Sequence, residues 1–151
     1  MSRPYWIIAG LLTLVAWALA AWLYPSLPQR VPTHWNIEGK VDGWGDKSWS
    51  TFLVPGMMIA FLILFAFLPA LSPKQFEVDS FRSTYLYIMV LTTGLFAYMN
   101  GVILLATCQE VRAGPRFMDI GRALIGGIFL FIAFLGNVMG KVRKNFYIGI
   151  R

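Results

Sequence analysis

The sequence predicts an all-α integral membrane protein with four transmembrane helices and both ends on the inner side. Three observations carry that reading. Of 151 residues, 58% are hydrophobic and only 13% are charged, with a mean hydropathy of +0.63. A soluble domain carries about 25% charged residues and cannot hide this much apolar surface. The apolar residues also fall in four long runs. The basic residues sit at the ends of those runs, so the net charge of +6 fits anionic lipid and membrane orientation rather than nucleic acid. The lone Cys108 excludes an intrachain disulfide and a thiolate metal cluster, and reads as a small buried residue.

The first run, residues 5–24, has 20 residues without a charge, which is about 30 Å of helix and one hydrocarbon core. Ala18, Ala20 and Ala21 would suit signal-peptide cleavage, but the run is long and ends in the interfacial aromatics Trp17, Trp22 and Tyr24. It is therefore read as a retained anchor. Pro25 and Pro28 end it. The second span is 52–71, with Pro55 and Gly56 in its first turns, where a proline costs least, and Pro69 at its far end. The third span is 85–107. Asn100 lies deep within it and should face another helix, while Gly94 and Gly101 would permit close helix contact. Gly114-Pro115 marks a turn. The fourth span is 120–140, with Asp119 or Arg122 at the interface and Gly121, Gly126 and Gly127 suggesting a thin face against a neighbour. Residues 141–151 form a tail with Lys141, Arg143, Lys144 and Arg151 and no acid. The compact basic tail orients both ends inward and places the loop of residues 27–49 outside the cytoplasm.

That loop, LPQRVPTHWNIEGKVDGWGDKSW, is the longest polar segment and holds the only histidine and three of the seven acidic residues. Pro28 and Pro32 stiffen its entry, and Gly39, Gly43 and Gly45 allow turns. Trp35, Trp44 and Trp49 are amphipathic anchors for the headgroup zone, so an ordered lid on the bundle is the simplest role. His34, Glu38, Asp42 and Asp46 recur every four residues, but the intervening glycines argue against one continuous helix. A folded loop could still converge His34, Glu38 and Asp42 on zinc or calcium, use His34 in acid–base chemistry, or form a pH-sensitive contact. No HExxH, GxSxG or phosphate-loop pattern occurs, so no residue is assigned as catalytic and no cofactor is expected. The second polar feature, GNVMGKVRKNFYIGIR at 136–151, reads as a basic cap with an interfacial tail, or as a docking surface for anionic lipid or an acidic partner.

The two segments LPQRVPTHWNIEGKVDGWGDK and GNVMGKVRKNFYIGIR resemble the signature loop and C-terminal pattern of SdpI-like proteins, including the domain of unknown function at their N-terminus. These are bacterial multi-pass membrane proteins of the immunity and signalling type. The resemblance places the loop pattern on Pro32, His34, Trp35, Asn36, Gly39, Asp42, Gly43 and Trp44, and the C-terminal pattern on Gly136, Asn137, Lys141, Asn145, Gly149, Ile150 and Arg151. In the family the pattern continues past Gly-Ile-Arg into a Thr-Pro-Trp-Thr-like segment and further helices. Here the sequence stops at Arg151, as either a short member or a piece of a longer chain.

The resemblance implies a non-enzymatic protein of the bacterial inner or plasma membrane. Its loop residues His34, Trp35, Asn36, Glu38, Asp42 and Trp44 would recognise a peptide toxin, lipid or other ligand, with Asn137, Lys141, Arg143, Asn145 and Arg151 forming the inner motif. Expected partners are membrane lipids, a secreted peptide toxin, a cytoplasmic repressor and a second copy of the chain. The alternatives are a metal-dependent membrane enzyme or transporter accessory built on His34, Glu38 and Asp42, and a structural subunit assembling through glycine-lined helix faces.

Overall fold

The computed structural model describes residues 2–71, 81–112 and 117–141. Four helices follow one another: α1 (Arg3–Leu23), α2 (Lys47–Leu71), α3 (Arg82–Val111) and α4 (Ile120–Met139). Each is long and apolar enough to cross a membrane. Between α1 and α2 lies an antiparallel hairpin of β1 (Arg30–Trp35) and β2 (Val41–Asp46). The sequence reading had assigned no strand there.

Two apolar clusters fix the arrangement. Ala9, Phe65, Phe81, Tyr85, Leu86, Ile88, Met89 and Val138 join the starts of α1 and α3 to the ends of α2 and α4. Val102, Ala106 and Ile120, with Trp35 packed on them, join the end of α3, the start of α4 and the hairpin. The helices therefore alternate in direction, and the hairpin caps the end opposite the N-terminus. Helix α3 packs against the other three.

Lipid offers a polar backbone nothing to bond, so each polar group in the bundle must find its partner inside the protein. Helix α1 meets α3 along the buried small residues Ala9, Thr13, Ala16 and Ala20. Asn100, also buried, donates its amide to the Ala16 carbonyl at 3.4 Å, so it does face another helix. Thr13 and Thr93 return their hydroxyls to Ala9 and Met89, one turn earlier, at 2.9 and 2.8 Å. Pro69 lacks the N–H that would bond the carbonyl four residues back, Phe65. The Tyr85 hydroxyl takes its place, donating to that carbonyl at 2.6 Å.

Several expectations need correction. Helix α2 begins at Lys47, not Phe52, because the Asp46 carboxylate accepts the Ser48 N–H at 2.8 Å and caps it. Residues 47–49 are thus helix rather than loop, and Pro55 lies in the helix interior rather than its first turns. Helix α3 runs about a turn beyond 85–107 at each end. Gly94 and Gly101 do not mediate close contact: a Cβ at either would meet nothing within 4 Å. The same holds for Gly126. Close approach occurs at Gly127, where a Cβ would overlap the Tyr98 ring, whose hydroxyl donates to the Ala123 carbonyl at 2.8 Å.

Candidate functional site: the hairpin and the cleft beneath it

The turn of the hairpin is built by Asn36. Its side-chain oxygen accepts the N–H groups of Glu38 (3.0 Å) and Lys40 (2.9 Å), its carbonyl accepts Gly39 N–H (2.9 Å), and its own N–H reaches the Lys40 carbonyl (2.8 Å). Gly39 sits at φ +73°, the left-handed region glycine enters without strain. Asn first and Gly fourth are the residues that a turn followed by a one-residue bulge requires.

Pairing on either side of His34 is symmetric about Glu38, but a register shift sets His34 opposite Gly43, and its ring reaches the neighbouring Asp42. His34 Nδ1 and Asp42 Oδ1 lie 2.5 Å apart. Both side chains are open to solvent, His34 at 72%. Pairing runs from Arg30↔Asp46 to Trp35↔Val41, with irregularities on both sides of His34. Close packing there needs glycine opposite: a Cβ on Gly43 would lie 2.8 Å from the His34 Cβ, and one on Gly45 would lie 2.7 Å from Thr33 Cγ2.

The hairpin is anchored at its base. Leu27, Val31 and Pro32 are buried. Lys47 donates to the carbonyls of Leu27 (3.1 Å) and Tyr24 (3.5 Å) and lies 4.6 Å from the Tyr24 ring centre. It thereby ties the start of α2 to the turn that follows α1. The Ser48 hydroxyl and N–H, both bonded to Asp46, hold that carboxyl below its ordinary value of 3.8.

Trp35 stands at the far end of β1. It packs on Val102, Ala106 and Ile120. Beside it opens a cleft of about 270 Å³, lined by Trp35 and Glu38 from the hairpin, Gln109 and Glu110 from α3, and Phe117 and Asp119 before α4. Its floor is set by Gln109, which sequence reasoning missed. The Gln109 side-chain oxygen accepts the N–H groups of Phe117 and Met118, both at 3.2 Å, and its amide donates to the Met118 carbonyl at 3.1 Å. Asp119 caps α4 by accepting Arg122 N–H at 2.9 Å. The one sequence signal for Gln109 was a polar amide closing a charge-free run.

The candidate residues therefore divide. His34 and Asp42 meet, Asn36 shapes the turn, Trp35 docks the hairpin, and Trp44 is half exposed. Glu38 turns to Lys40, at 2.8 Å, rather than toward His34. Among the described residues no three His, Cys, Asp or Glu gather as a metal-holding group, so His34, Glu38 and Asp42 do not converge. At the opposite end Asn137 and Lys141 are exposed. Arg143, Asn145 and Arg151 lie outside the described residues.

Residues 11–59 match the family model of DUF1648, a domain of unknown function found in membrane proteins. The match takes in the later part of α1, the whole hairpin and the first half of α2. No curated protein and no solved structure matches the chain.

Proposed function

We propose that this chain is a non-enzymatic receptor of the immunity or signalling type, which recognises a peptide through its hairpin on the outer face of a bacterial inner or plasma membrane. The observation that carries this reading is the construction of the hairpin. Asn36, Gly39 and the Lys47 contacts fix its shape and Trp35 fixes its position, while His34, Ile37 and Trp44 remain turned to solvent. A loop serving only as a connection needs neither this bracing nor these exposed apolar side chains. The likeness of the loop and tail patterns to SdpI-like proteins supports the same role.

Charge supports the orientation. Over the whole sequence, taken in chain order, the segments at the end opposite the hairpin hold seven Lys and Arg (Arg3, Lys74, Arg82, Lys141, Arg143, Lys144 and Arg151) against six at the hairpin end (Arg30, Lys40, Lys47, Arg112, Arg116 and Arg122), and the basic residues of 141–151 stand together without an acid. An excess of Lys and Arg marks the cytoplasmic side.

The test is protection. Cells expressing the protein are challenged with peptides secreted by related bacteria, and His34→Ala and Trp44→Ala variants are compared at equal membrane abundance. Loss of both protection and peptide binding in these variants is expected. Unaltered protection in both would sink the reading. The His34–Asp42 pair also favours a metal-dependent alternative, in which these two side chains begin a coordination shell. Stoichiometric zinc in purified protein, lost in His34→Ala, would establish that alternative instead.

A further inference from the structure

We infer that a groove between α1 and α4 holds one acyl chain of an anionic phospholipid, whose headgroup sits beside Lys141 at the end opposite the hairpin. The lipid site does not depend on the peptide-recognition reading above. Helices α1 and α4 both pack on α3 and leave a groove of about 390 Å³ between them, with Leu12 on one wall, Leu130 and Phe134 on the other, and Gly94 on the floor. On either side of the groove α3 and α4 are joined. Toward the hairpin, the Tyr98 ring lies against Gly127, and Val102 and Ala106 meet Ile120. Toward the other end, Val138 enters the cluster of Phe81, Tyr85 and Met89. The gap thus lies between two packed regions, and two glycines keep it open: a Cβ on Gly94 or Gly126 would meet nothing within 4 Å. An empty apolar gap forfeits dispersion contacts and is costly unless something apolar fills it.

Size, depth and charge identify the occupant. From Val90 to Tyr98 the lining runs about 12 Å along α3. A helix of that length, about 10 Å across, fills about 900 Å³, so a second copy of the chain could seat side chains in the groove but not a helix. An acyl chain is thin and flexible and brings no polar group. Tyr98, which lines the groove, already donates its hydroxyl to the Ala123 carbonyl. All the helices around it are long and apolar enough to cross a membrane, so lipid chains are the medium that meets it. Polar side chains continue this face of α4 beyond Phe134. Asn137, three residues on, is exposed and has no hydrogen-bond partner among the described residues. Lys141, seven residues on, is exposed in the turn that ends the helix, its N–H bonded to the Val138 carbonyl at 2.9 Å. Seven residues are about 10 Å of helix, a span that the glycerol esters and phosphate of a lipid cover. The Asn137 amide can donate to an ester carbonyl and the Lys141 ammonium to the phosphate, the pattern by which basic sites between membrane helices hold anionic headgroups. At the other end of α4, Arg122 already lies 3.6 Å from the Asp119 carboxylate.

The test titrates the purified full chain in detergent with palmitoyl-oleoyl phosphatidylglycerol, or with phosphatidylcholine of the same chains, and counts adducts by native mass spectrometry. One phosphatidylglycerol should bind per chain, at least fivefold more tightly than phosphatidylcholine. Gly126→Leu fills the groove and should weaken both lipids at least fivefold. Gly10→Leu, at an exposed glycine of α1 outside the groove where a Cβ also meets nothing, should leave both unchanged. Lys141→Gln should remove the preference for phosphatidylglycerol while phosphatidylcholine binding is retained. Gly94→Leu repeats the filling from α3 should Gly126→Leu misfold, and far-ultraviolet circular dichroism checks the helices of each variant. Glycerol phosphate, the headgroup without chains, should not displace the lipid. Equal binding of the two lipids, phosphatidylglycerol binding unchanged by both Gly126→Leu and Gly94→Leu, displacement by glycerol phosphate, or a dimer that dissociates in Gly126→Leu while the lipid stays bound would each overturn the proposal.

Discussion

Glycine positions separate two kinds of side-chain space in this protein. At Gly43 the nearest obstacle is the His34 Cβ, 2.8 Å from where a new Cβ would stand. That atom is fixed to the backbone and cannot rotate aside. Gly43→Ala should therefore cost about 1–3 kcal/mol, the usual cost of overpacking. At Gly101, inside α3, a Cβ meets nothing within 4 Å. Gly101→Ala should stabilise the helix by about 0.5–1 kcal/mol, because alanine loses less entropy on folding. Thermal unfolding in detergent should move the two variants in opposite directions, and a shift of the same sign in both would contradict this account. Tyr85 offers a conditional test. Its hydroxyl occupies the Phe65 carbonyl that Pro69 leaves free. Tyr85→Phe should cost about 1–2 kcal/mol in the native chain. It should cost much less when Pro69→Ala restores the backbone N–H. A double-mutant cycle with no coupling between the two would show that the hydroxyl is not acting for the missing donor.

The elements were unequally legible. Four charge-free runs announced four helices, since no soluble fold tolerates such runs and a bilayer requires them. The hairpin was not announced, because its strands hold prolines, glycines and charges rather than alternating apolar residues. Its pairing depends on Asn36 and Gly39 forming the turn, and on glycines opposite Thr33 and His34. The four-residue spacing of His34, Glu38 and Asp42 pointed to a helix face. In the hairpin a register shift sets His34 opposite Gly43, and only the outer two of the three meet. Asn36→Ala removes two acceptor bonds from the turn. It should accelerate amide hydrogen exchange at Glu38 and Lys40 at least tenfold while leaving α3 protected, and equal protection throughout would show that the turn holds without them. The start of α2 was misplaced because Asp46, read as a loop acid, is a helix cap. Its carboxyl is held below the ordinary 3.8 by the Ser48 hydroxyl and N–H. A lowered value in the folded state means that ionised Asp46 stabilises the fold above pH 3.8, and that this contribution disappears as the pH falls through the folded value. The acid limb of unfolding should therefore shift in Asp46→Asn, which keeps a cap but cannot titrate. An acid profile identical to the native one would remove Asp46 from the account.

At the scale of the whole molecule the question is which end faces the cytoplasm, since the receptor reading needs the hairpin outside. Helix α3 has 30 residues, about 45 Å of helix against a hydrocarbon core of about 30 Å. It must tilt or project, and its final turns carry Gln109 and Glu110 into the cleft beneath the hairpin. The protein is thus asymmetric along the membrane normal. One end has the hairpin and the cleft, and the other receives, in chain order, the compact basic segment 141–151, with Lys141, Arg143, Lys144 and Arg151 and no acid. That basic end should be cytoplasmic. The native thiol is removed first, as Cys108→Ser, and single cysteines are then placed at two exposed positions, Ile37→Cys on the turn and Lys141→Cys beyond α4. A membrane-impermeant maleimide added to intact cells, or to spheroplasts where an outer membrane intervenes, should label the Ile37→Cys protein. The Lys141→Cys protein should react only after the membrane is opened. The reverse pattern would place the hairpin in the cytoplasm, where a secreted peptide could not reach it, and the receptor reading would fall even though the fold stands.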